Sequence, residues 1–430
     1  MHTQLPPKRS QQDYKKLSRF PVENHLKSVK AEVQGPLTIA GKTRHKIGLF
    51  LTNTLWLWGL HYVMNRFGFK HKFMEYTDGA TGIYKLDDAG DNPDNGIAIS
   101  LAADWATCTD ESLTVAEQMS SHKPDYTIHL GDTYFVGSLY EVWINFLEKG
   151  SPWVRGSKGS FALMGNHEMY ARGIAYYNKL LPSLGIRKAD DSFSGQKTSF
   201  FCLENDYWRI LGLDTGYHSV AKPFSEIFGF PAQCRLDPKM IKWLKETVKL
   251  DNKEDKRGII ILTHHQYISA FGSEHEYTLP GEQLAELLGT DRPVIWICGH
   301  EHKLSLYNKF SRKDALTAYV RCIGHGGMPI ELDSDQFTIN NTHTGAEHLV
   351  CYDERPRDSS NPEYRLGYNG YAQLRIRNEA AYLEYYDTQK LLLRERWVAD
   401  NAGIITGNLE FVAETDLTLA TGKNWGDVVG

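Results

Sequence analysis

The sequence lacks the patterns that mark several common classes of protein. None of its six cysteines forms a CxxC pair, which argues against a disulfide framework and against a structural zinc site, and favours a reducing, cytoplasmic compartment. The formal net charge is only -5 and the basic residues are dispersed, so a nucleic-acid scaffold role is not indicated. A GxxxxGK phosphate loop and a GxSxG nucleophile elbow are also missing.

Long hydrophobic runs are scarce, but one segment lacks charge altogether. Residues 47–64 contain no Asp, Glu, Lys or Arg and are flanked by basic residues. Their length is at the lower limit for crossing a bilayer, and their tryptophans suit a helix at a lipid surface. Three alternatives stay open: a helix packed on the catalytic domain, a helix in peripheral contact with a membrane, or a true span.

The remaining composition is that of a large globular protein. Hydrophobic residues make up 41% and charged residues 23% of 430 positions, enough for a sizeable core. Residues 1–35 are polar, show no secretory signal and are expected to be disordered. We expect an N-terminal extension over 36–95, a main domain over 96–400 and a C-terminal tail over 401–430.

Five polar clusters each follow an apolar run that resembles a strand. They are Asp104-Trp105-Ala106, Gly131-Asp132-Thr133-Tyr134, Gly165-Asn166-His167-Glu168, Thr263-His264-His265 and Cys298-Gly299-His300-Glu301-His302. Helical patterns over 111–121, 139–148 and 174–181 separate the first strands, which predicts a parallel sheet with crossover helices. Because loops at the carboxyl ends of such strands converge, these side chains are expected to meet at one rim.

Further strands and one long loop are predicted beyond the first three clusters. Residues 199–204 and 207–213 form a predicted hairpin around a turn pair, and 258–262 and 294–298 are predicted buried strands. Residues 236–250 carry a helical pattern. Four later strands are predicted over 304–307, 318–323, 371–376 and 382–387, whereas the polar stretch 330–370 is predicted to be a loop or insertion.

The residue types of the clusters predict a pair of metal ions. Carboxylate, amide oxygen and neutral imidazole suit Mn, Fe or Zn better than Ca. Two divalent or mixed-valent ions about 3.5–4 Å apart need a bridging anion, which a central aspartate supplies together with a shared water or hydroxide.

The ordered set of clusters resembles the calcineurin-like metallophosphoesterase superfamily over about residues 97–325. That resemblance implies an α/β (α+β) fold, a four-layer β-sandwich flanked by helices, that hydrolyses phosphate esters at a dinuclear metal centre with a bridging hydroxide. By the same resemblance, Asp132 bridges the two metals and His167 contacts the substrate phosphate or protonates the leaving alcohol. The remaining implied metal ligands are Asn166, His264 and His300 on one ion and Asp104 and His302 on the other.

One departure from the superfamily pattern lies in the first cluster. The usual Asp-x-His motif is replaced by Asp104-Trp105-Ala106, and alanine cannot bind a metal. Purple acid phosphatases resemble this version, with a tyrosine that takes the place of the histidine. Tyr134 is the candidate, although it stands two rather than three positions after Asp132. It is either a ligand or a packed aromatic residue with a hydrogen-bonded hydroxyl.

Two further histidines are candidates for contact with the phosphorylated substrate. His265 adjoins a presumed ligand and either touches substrate or supports that ligand, and His325 lies among glycines after another predicted strand. The likeness to purple acid phosphatases favours a phosphomonoester. A phosphodiesterase, a phospholipid-directed phosphatase at a membrane surface, and a non-catalytic scaffold, which Ala106 favours, stay open.

Overall fold

Two β-sheets face each other in the computed structural model, which describes residues 70–86, 96–220, 234–272, 275–332, 335–357 and 365–430. The nine-stranded sheet has the spatial order β1 (Ile83–Lys85), β6 (Phe201–Glu204), β7 (Trp208–Gly212), β8 (Gly258–Leu262), β9 (Val294–Cys298), β11 (Ala315–Ile323), β10 (Leu304–Arg312), β12 (Leu349–Tyr352) and β17 (Thr418–Leu419). Its central strands β7, β8, β9 and β11 run parallel.

The eight-stranded sheet combines a parallel part with an antiparallel part. Its order is β16 (Ile405–Val412), β15 (Leu391–Ala399), β14 (Ala380–Asp387), β13 (Gly370–Arg377), β2 (Ile97–Ala102), β3 (Tyr126–His129), β4 (Gly159–Ala162) and β5 (Gly185–Ile186). Strands β2, β3 and β4 are parallel, and β13 joins β2 in antiparallel pairing.

Helices cover the outer faces of both sheets. They are α1 (Asp110–Ser121), α2 (Leu139–Val142), α3 (Asn166–Tyr170), α4 (Pro238–Glu246) and α5 (Leu279–Leu288). Helix α1 begins where Thr109 and Ser112 form a reciprocal capping box, which satisfies backbone N–H groups that the first turn leaves free. Two π-helical turns, Trp143–Leu147 and Tyr176–Leu180, pack in the same core cluster as α1.

The hydrophobic core has three parts that match this layering. One cluster fills the space between the two sheets, a second lies between the nine-stranded sheet and helices α4 and α5, and a third lies under α1 and the π-helical turns. The parallel strands are buried along their whole length, as expected for strands covered on both faces. The predicted four-layer β-sandwich is therefore confirmed.

A buried ion pair joins the two sheets. Arg321 of β11 and Glu395 of β15 lie 2.9 Å apart, and both side chains are fully buried. Arg321 also donates to the carbonyl oxygen of Val428 at 2.7 Å, so the C-terminal residues are bonded to the core. Such a pair is costly to break from one side, because the remaining charge would be buried alone.

Several elements differ from the sequence prediction. The stretch 330–370, predicted to be a loop, contains β12, which pairs with β10 and β17. Strand β1 lies in the range assigned to an N-terminal extension and β16 in the range assigned to a tail, yet each completes a sheet. Short or edge strands carry too little periodicity to be recognised without their partners. Helix α2 and the turn after it replace one predicted helix, because the backbone widens into a π-helical turn.

Segment 47–64 lies outside the described residues. Among the helices that the structure does describe, none combines the length and the apolar character needed to cross a bilayer.

Candidate metal centre

The predicted ligands lie where parallel strands of both sheets end. Asp104 follows β2, Asp132 follows β3, and His300 follows β9. All three have positive φ, at 56°, 72° and 67°, a left-handed conformation that costs free energy for residues other than glycine. The backbone thus turns sharply at each strand end, and the side chains face one another across the gap between the sheets.

A first group of donor atoms surrounds the hydroxyl of Tyr134. This hydroxyl lies 2.7 Å from Asp104 Oδ1, 3.0 Å from Asp132 Oδ2 and 2.8 Å from His302 Nε2. The main-chain N–H of Tyr134 donates to the carbonyl of Ala106 at 3.0 Å. The residue that stands where a histidine ligand is usual therefore helps to position the tyrosine.

A second group of donor atoms lies on the other side of Asp132. His264 Nε2 is 3.4 Å from Asp132 Oδ1 and 3.1 Å from Asn166 Oδ1, and His300 Nδ1 is 3.2 Å from His264 Nε2. His264 Nδ1 lies 3.1 Å from the carbonyl oxygen of Leu130. Donation to that carbonyl places the ring hydrogen on Nδ1 and leaves the Nε2 lone pair for a metal.

Glycines allow the strand ends to approach so closely. A Cβ at Gly165 would collide with the carboxylate of Asp132, and one at Gly299 would stand 2.7 Å from Asp104 Oδ2. Both positions accept only a residue without a side chain, which explains why each glycine adjoins a ligand.

Neighbouring ionisable side chains shift the pKa values of Asp132 and His264 in this cluster. Burial alone would raise the pKa of Asp132, but His167 and His264 hold that pKa well below its usual value. Burial would lower the pKa of His264, yet Asp132 raises it to about 9. Asp132 is therefore charged at neutral pH, as a carboxylate ligand must be, and a metal ion at His264 would have to replace the proton on Nε2.

His167 is oriented by a backbone carbonyl. Its Nδ1 lies 2.6 Å from the carbonyl oxygen of Phe135, and its Nε2 lies 3.7 Å from Asp132 Oδ2. With the hydrogen of Nδ1 bonded to the carbonyl, Nε2 is the atom that faces the metal cluster. The side chain is 20% exposed, so a substrate can reach it.

Glu168 supports the site and was assigned no role from the sequence. Its buried carboxylate accepts from the main-chain N–H groups of Asp132 at 3.2 Å and Gly165 at 2.8 Å. Burial, together with Asp132, raises the pKa of Glu168 to about 7. The spacing of Gly165 and Glu168 is that of a capping box at the start of α3, which is the pattern that could have identified it.

His265 packs behind the second group. Its ring lies 4.7 Å from the ring of His300, and its Nδ1 is 3.0 Å from Thr215 Oγ1. Tyr277, which the sequence did not indicate, contacts the His265 ring at 4.9 Å. Tyr277 precedes a helix outside any recognisable cluster, so only the fold brings it to this rim.

His325 is placed differently from the other candidates. Its ring is fully buried, and a Cβ at Gly370 would be 2.7 Å from its Nε2. The glycines beside it do approach the site, because a Cβ at Gly324 would stand 3.0 Å from Asp104 Oδ2. The expected substrate contact of His325, like that of His265, stays a prediction.

The residues fit the metal pair that the sequence predicts. The ligand atoms of Asp104, Asp132 and His264 lie within 4.8 Å of one another, and two charged carboxylates converge on one hydroxyl, which has a single hydrogen to donate. Like charges at such distances are stabilised by cations. Asp104, Asp132, His302 and Tyr134 could hold one ion, and Asp132, Asn166, His264 and His300 the other.

Comparisons with known proteins agree with this geometry. The family described as calcineurin-like phosphoesterase matches residues 97–304. No curated protein sequence matches the chain at a significant level.

Solved structures with a similar chain path have low identity. PhoD is 13% identical, with 76% of this chain and 73% of that chain covered and a TM-score of 0.47. GAP50 of Plasmodium, described as the anchor in the inner membrane complex, is 11% identical, with 68% and 85% covered and a TM-score of 0.41. Purple acid phosphatase PPD1 of yellow lupin is 11% identical, with 78% and 55% covered and a TM-score of 0.39. The family match therefore makes residues 97–304 similar to calcineurin-like phosphoesterases.

Proposed function

We propose that this protein is a metal-dependent phosphoesterase that hydrolyses phosphate monoesters. The observation that supports this most strongly is the position of Asp132. One of its carboxylate oxygens lies 3.0 Å from the Tyr134 hydroxyl and the other lies 3.4 Å from His264 Nε2. A carboxylate shared between two groups of donors is the arrangement that a pair of bridged metal ions requires.

The two ions, when bound, would lower the pKa of a water molecule and neutralise the phosphoryl oxygens. The chain itself supplies orientation and a proton. Asp132 and Asn166 fix the spacing of the two donor groups. Nε2 of a protonated His167 faces the cluster and donates its proton to the departing alcohol oxygen, while the Phe135 carbonyl holds the ring. No side-chain nucleophile is needed.

Two alternatives depend on specific features of the chain. Hydrolysis of a phosphodiester or a phospholipid headgroup would need the same metal ligands. The residues that line the site therefore decide between these substrates. A non-catalytic scaffold is favoured by Ala106 alone, which is buried and bonds to the backbone of Tyr134. The presence of every other predicted ligand and of His167 favours an enzyme over a scaffold.

Metal quantification combined with a substrate screen tests the proposal. We expect about two ions per chain and turnover of para-nitrophenyl phosphate that exceeds turnover of bis(para-nitrophenyl) phosphate. Asp132→Ala should lower the metal content. The same variant should lower kcat/KM by at least about a thousandfold. Asp190→Ala, on an exposed loop, serves as the control. Full turnover in Asp132→Ala, or no turnover by the metal-loaded parent, would refute the phosphoesterase.

A further inference from the structure

The carboxylate of Glu141 is bonded to more main-chain groups than the start of α2 requires. Ser138 and Glu141 form a capping box, in which Glu141 Oε2 accepts from the main-chain N–H of Ser138 at 2.7 Å. The same oxygen accepts from the N–H of Val136 at 3.3 Å, and Oε1 accepts from the N–H of Phe135. A helix cap needs only the first of these bonds. The other two extend to the loop between β3 and α2, which borders the metal centre.

One peptide group links Glu141 to the proposed proton donor. The carbonyl of Phe135 and the N–H of Val136 belong to the same planar peptide group, in which they point in opposite directions. The N–H end donates to Glu141 Oε2, and the carbonyl oxygen lies 2.6 Å from His167 Nδ1. Because the group is rigid, a bond that fixes its N–H also fixes the direction of its carbonyl. Glu141 and His167 are therefore joined through one amide plane.

Packing and hydrogen bonds hold this loop and α2 in place. Gly137 lies against α3, since a Cβ at this position would stand 2.5 Å from the Cα of Glu168. Asn145, in the π-helical turn after α2, donates to the carbonyl of Glu141 at 2.9 Å and to that of Ala106 at 3.4 Å. Helix α2 is thus bonded to the loop that follows β2. The carboxylate of Glu141 has a fixed position relative to the metal centre.

We propose that Glu141 is a positioning residue for His167 and acts through the Phe135–Val136 peptide group. A carboxylate at the N–H end of an amide increases the negative charge on its carbonyl oxygen, because successive hydrogen bonds polarise one another. A stronger acceptor beside Nδ1 holds the ring hydrogen there and keeps Nε2 directed at the metal cluster. The peptide group thus relays to His167 the orienting effect that a carboxylate exerts when it is bonded to a histidine directly.

The catalytic part of this role rests on the proposed phosphoesterase function, because a proton donor acts only where an alcohol departs. Without the carboxylate of Glu141, three main-chain N–H groups lose their acceptor, and the peptide group can turn its carbonyl away from His167. A displacement of about 1 Å in a catalytic group can cost about a hundredfold in rate. The orientation of the ring itself can be observed without substrate.

The tautomer of His167 tests the positioning role without turnover. The full-length chain is prepared with isotope-labelled histidine, Zn²⁺ is added, and the imidazole nitrogens are observed by NMR in mildly alkaline buffer; His167→Asn identifies the signals. We expect hydrogen on Nδ1 in the parent and a mixture of tautomers in Glu141→Ala. The matched control is Ser138→Ala, which removes the other half of the capping box and should leave the tautomer unchanged. Hydrogen on Nε2 in the parent, or no change in Glu141→Ala, would overturn the role.

The dependence of rate on the leaving group tests the catalytic consequence. In Glu141→Ala, kcat for an alkyl phosphate should fall by about 10–100-fold. The value for para-nitrophenyl phosphate should fall much less, because its alcohol departs without help from an acid. Glu141→Gln keeps the shape of the side chain and an acceptor oxygen, and should retain more of the alkyl phosphate rate than Glu141→Ala. Equal losses on both substrates, with the metal retained, would contradict the positioning role.

A double-mutant cycle distinguishes action through His167 from a separate effect. In a His167→Asn background, Glu141→Ala should lower kcat for the alkyl phosphate by less than about twofold, because the group that it positions is already gone. Losses that multiply would show that Glu141 acts elsewhere. A parent that binds zinc but hydrolyses neither substrate would refute the phosphoesterase, and the tautomer comparison then decides the positioning role by itself.

Discussion

The hydroxyl of Tyr134 lies 2.7 Å from the Oδ1 atom of Asp104, although the two residues are 30 positions apart and follow different strands. Burial, together with Asp104 and Asp132, raises the pKa of this phenol well above its usual value. The protein alone therefore keeps the phenol protonated, and only a cation in the first donor group would stabilise the phenolate. Tyr134 thus offers a ligand atom on the side of the site where Ala106 cannot bind a metal.

Replacement of Tyr134 by phenylalanine separates a ligand from a packed aromatic residue. If the phenolate binds a metal, Tyr134→Phe loses about one ion per chain, and an Fe(III)-loaded parent loses its visible charge-transfer band. Atomic absorption and visible spectra provide the measurement. Tyr217→Phe, whose hydroxyl donates instead to the His71 carbonyl, is the control. Unchanged metal content and colour in Tyr134→Phe would show that the hydroxyl only donates a hydrogen bond.

Removal of Glu168 should weaken metal binding without removing a ligand. Its carboxylate fixes the main-chain N–H groups of Asp132 and Gly165, and loss of such support typically costs about 10–100-fold in metal affinity. Glu168→Ala should show this loss in a metal titration, whereas Glu168→Gln keeps an acceptor oxygen and should recover most of the affinity. Equal affinities for parent and Glu168→Ala would argue against a positioning role.

The role of His167 can be measured through the leaving group. A general acid matters most when the departing alcohol is a poor leaving group. In His167→Asn, kcat for alkyl phosphates should therefore fall by about 10²–10⁴-fold, but kcat for para-nitrophenyl phosphate should fall much less. A uniform loss across both substrates would instead assign His167 to binding of the phosphate.

His129 should make the metal-free protein less stable in acid. It is fully buried against Trp105 and Trp153, and burial lowers its pKa from 6.5 to about 3. Between these two pH values the unfolded chain binds a proton that the folded protein excludes. The free energy of unfolding should therefore fall by about 1.4 kcal/mol per pH unit as pH decreases.

Urea denaturation in the presence of a chelator measures this slope. His129→Leu should flatten it by about one proton, whereas His275→Leu, at an exposed position, should not. A slope unchanged by His129→Leu would mean that other groups cause the acid instability.

The buried pair of Arg321 and Glu395 should show strong coupling. Glu395 also accepts from the indole N–H of Trp397 at 2.9 Å. Arg321→Met should lower the free energy of unfolding by about 3–5 kcal/mol, because Glu395 is left charged and buried. Arg321→Met combined with Glu395→Leu should restore much of that loss in a double-mutant cycle. Additive losses would show that the pair does not link the sheets energetically.

The sequence by itself determined the buried parallel strands and which polar side chains follow them. Fully apolar runs such as 258–262 and 294–298 match β8 and β9 residue for residue, because a strand buried on both faces has no polar positions to obscure its ends. The candidate ligands could be predicted because each cluster follows such a run, and parallel strands end at a common edge.

Only the tertiary structure decided what surrounds these ligands. The carbonyls of Leu130 and Phe135 orient His264 and His167, and a backbone atom carries no trace in the sequence. The contacts of Tyr277 and the pairing of β12 depend on chain segments far apart meeting in space. Local patterns thus determined which residues are candidates to bind metal, and long-range packing determined the geometry in which those residues meet.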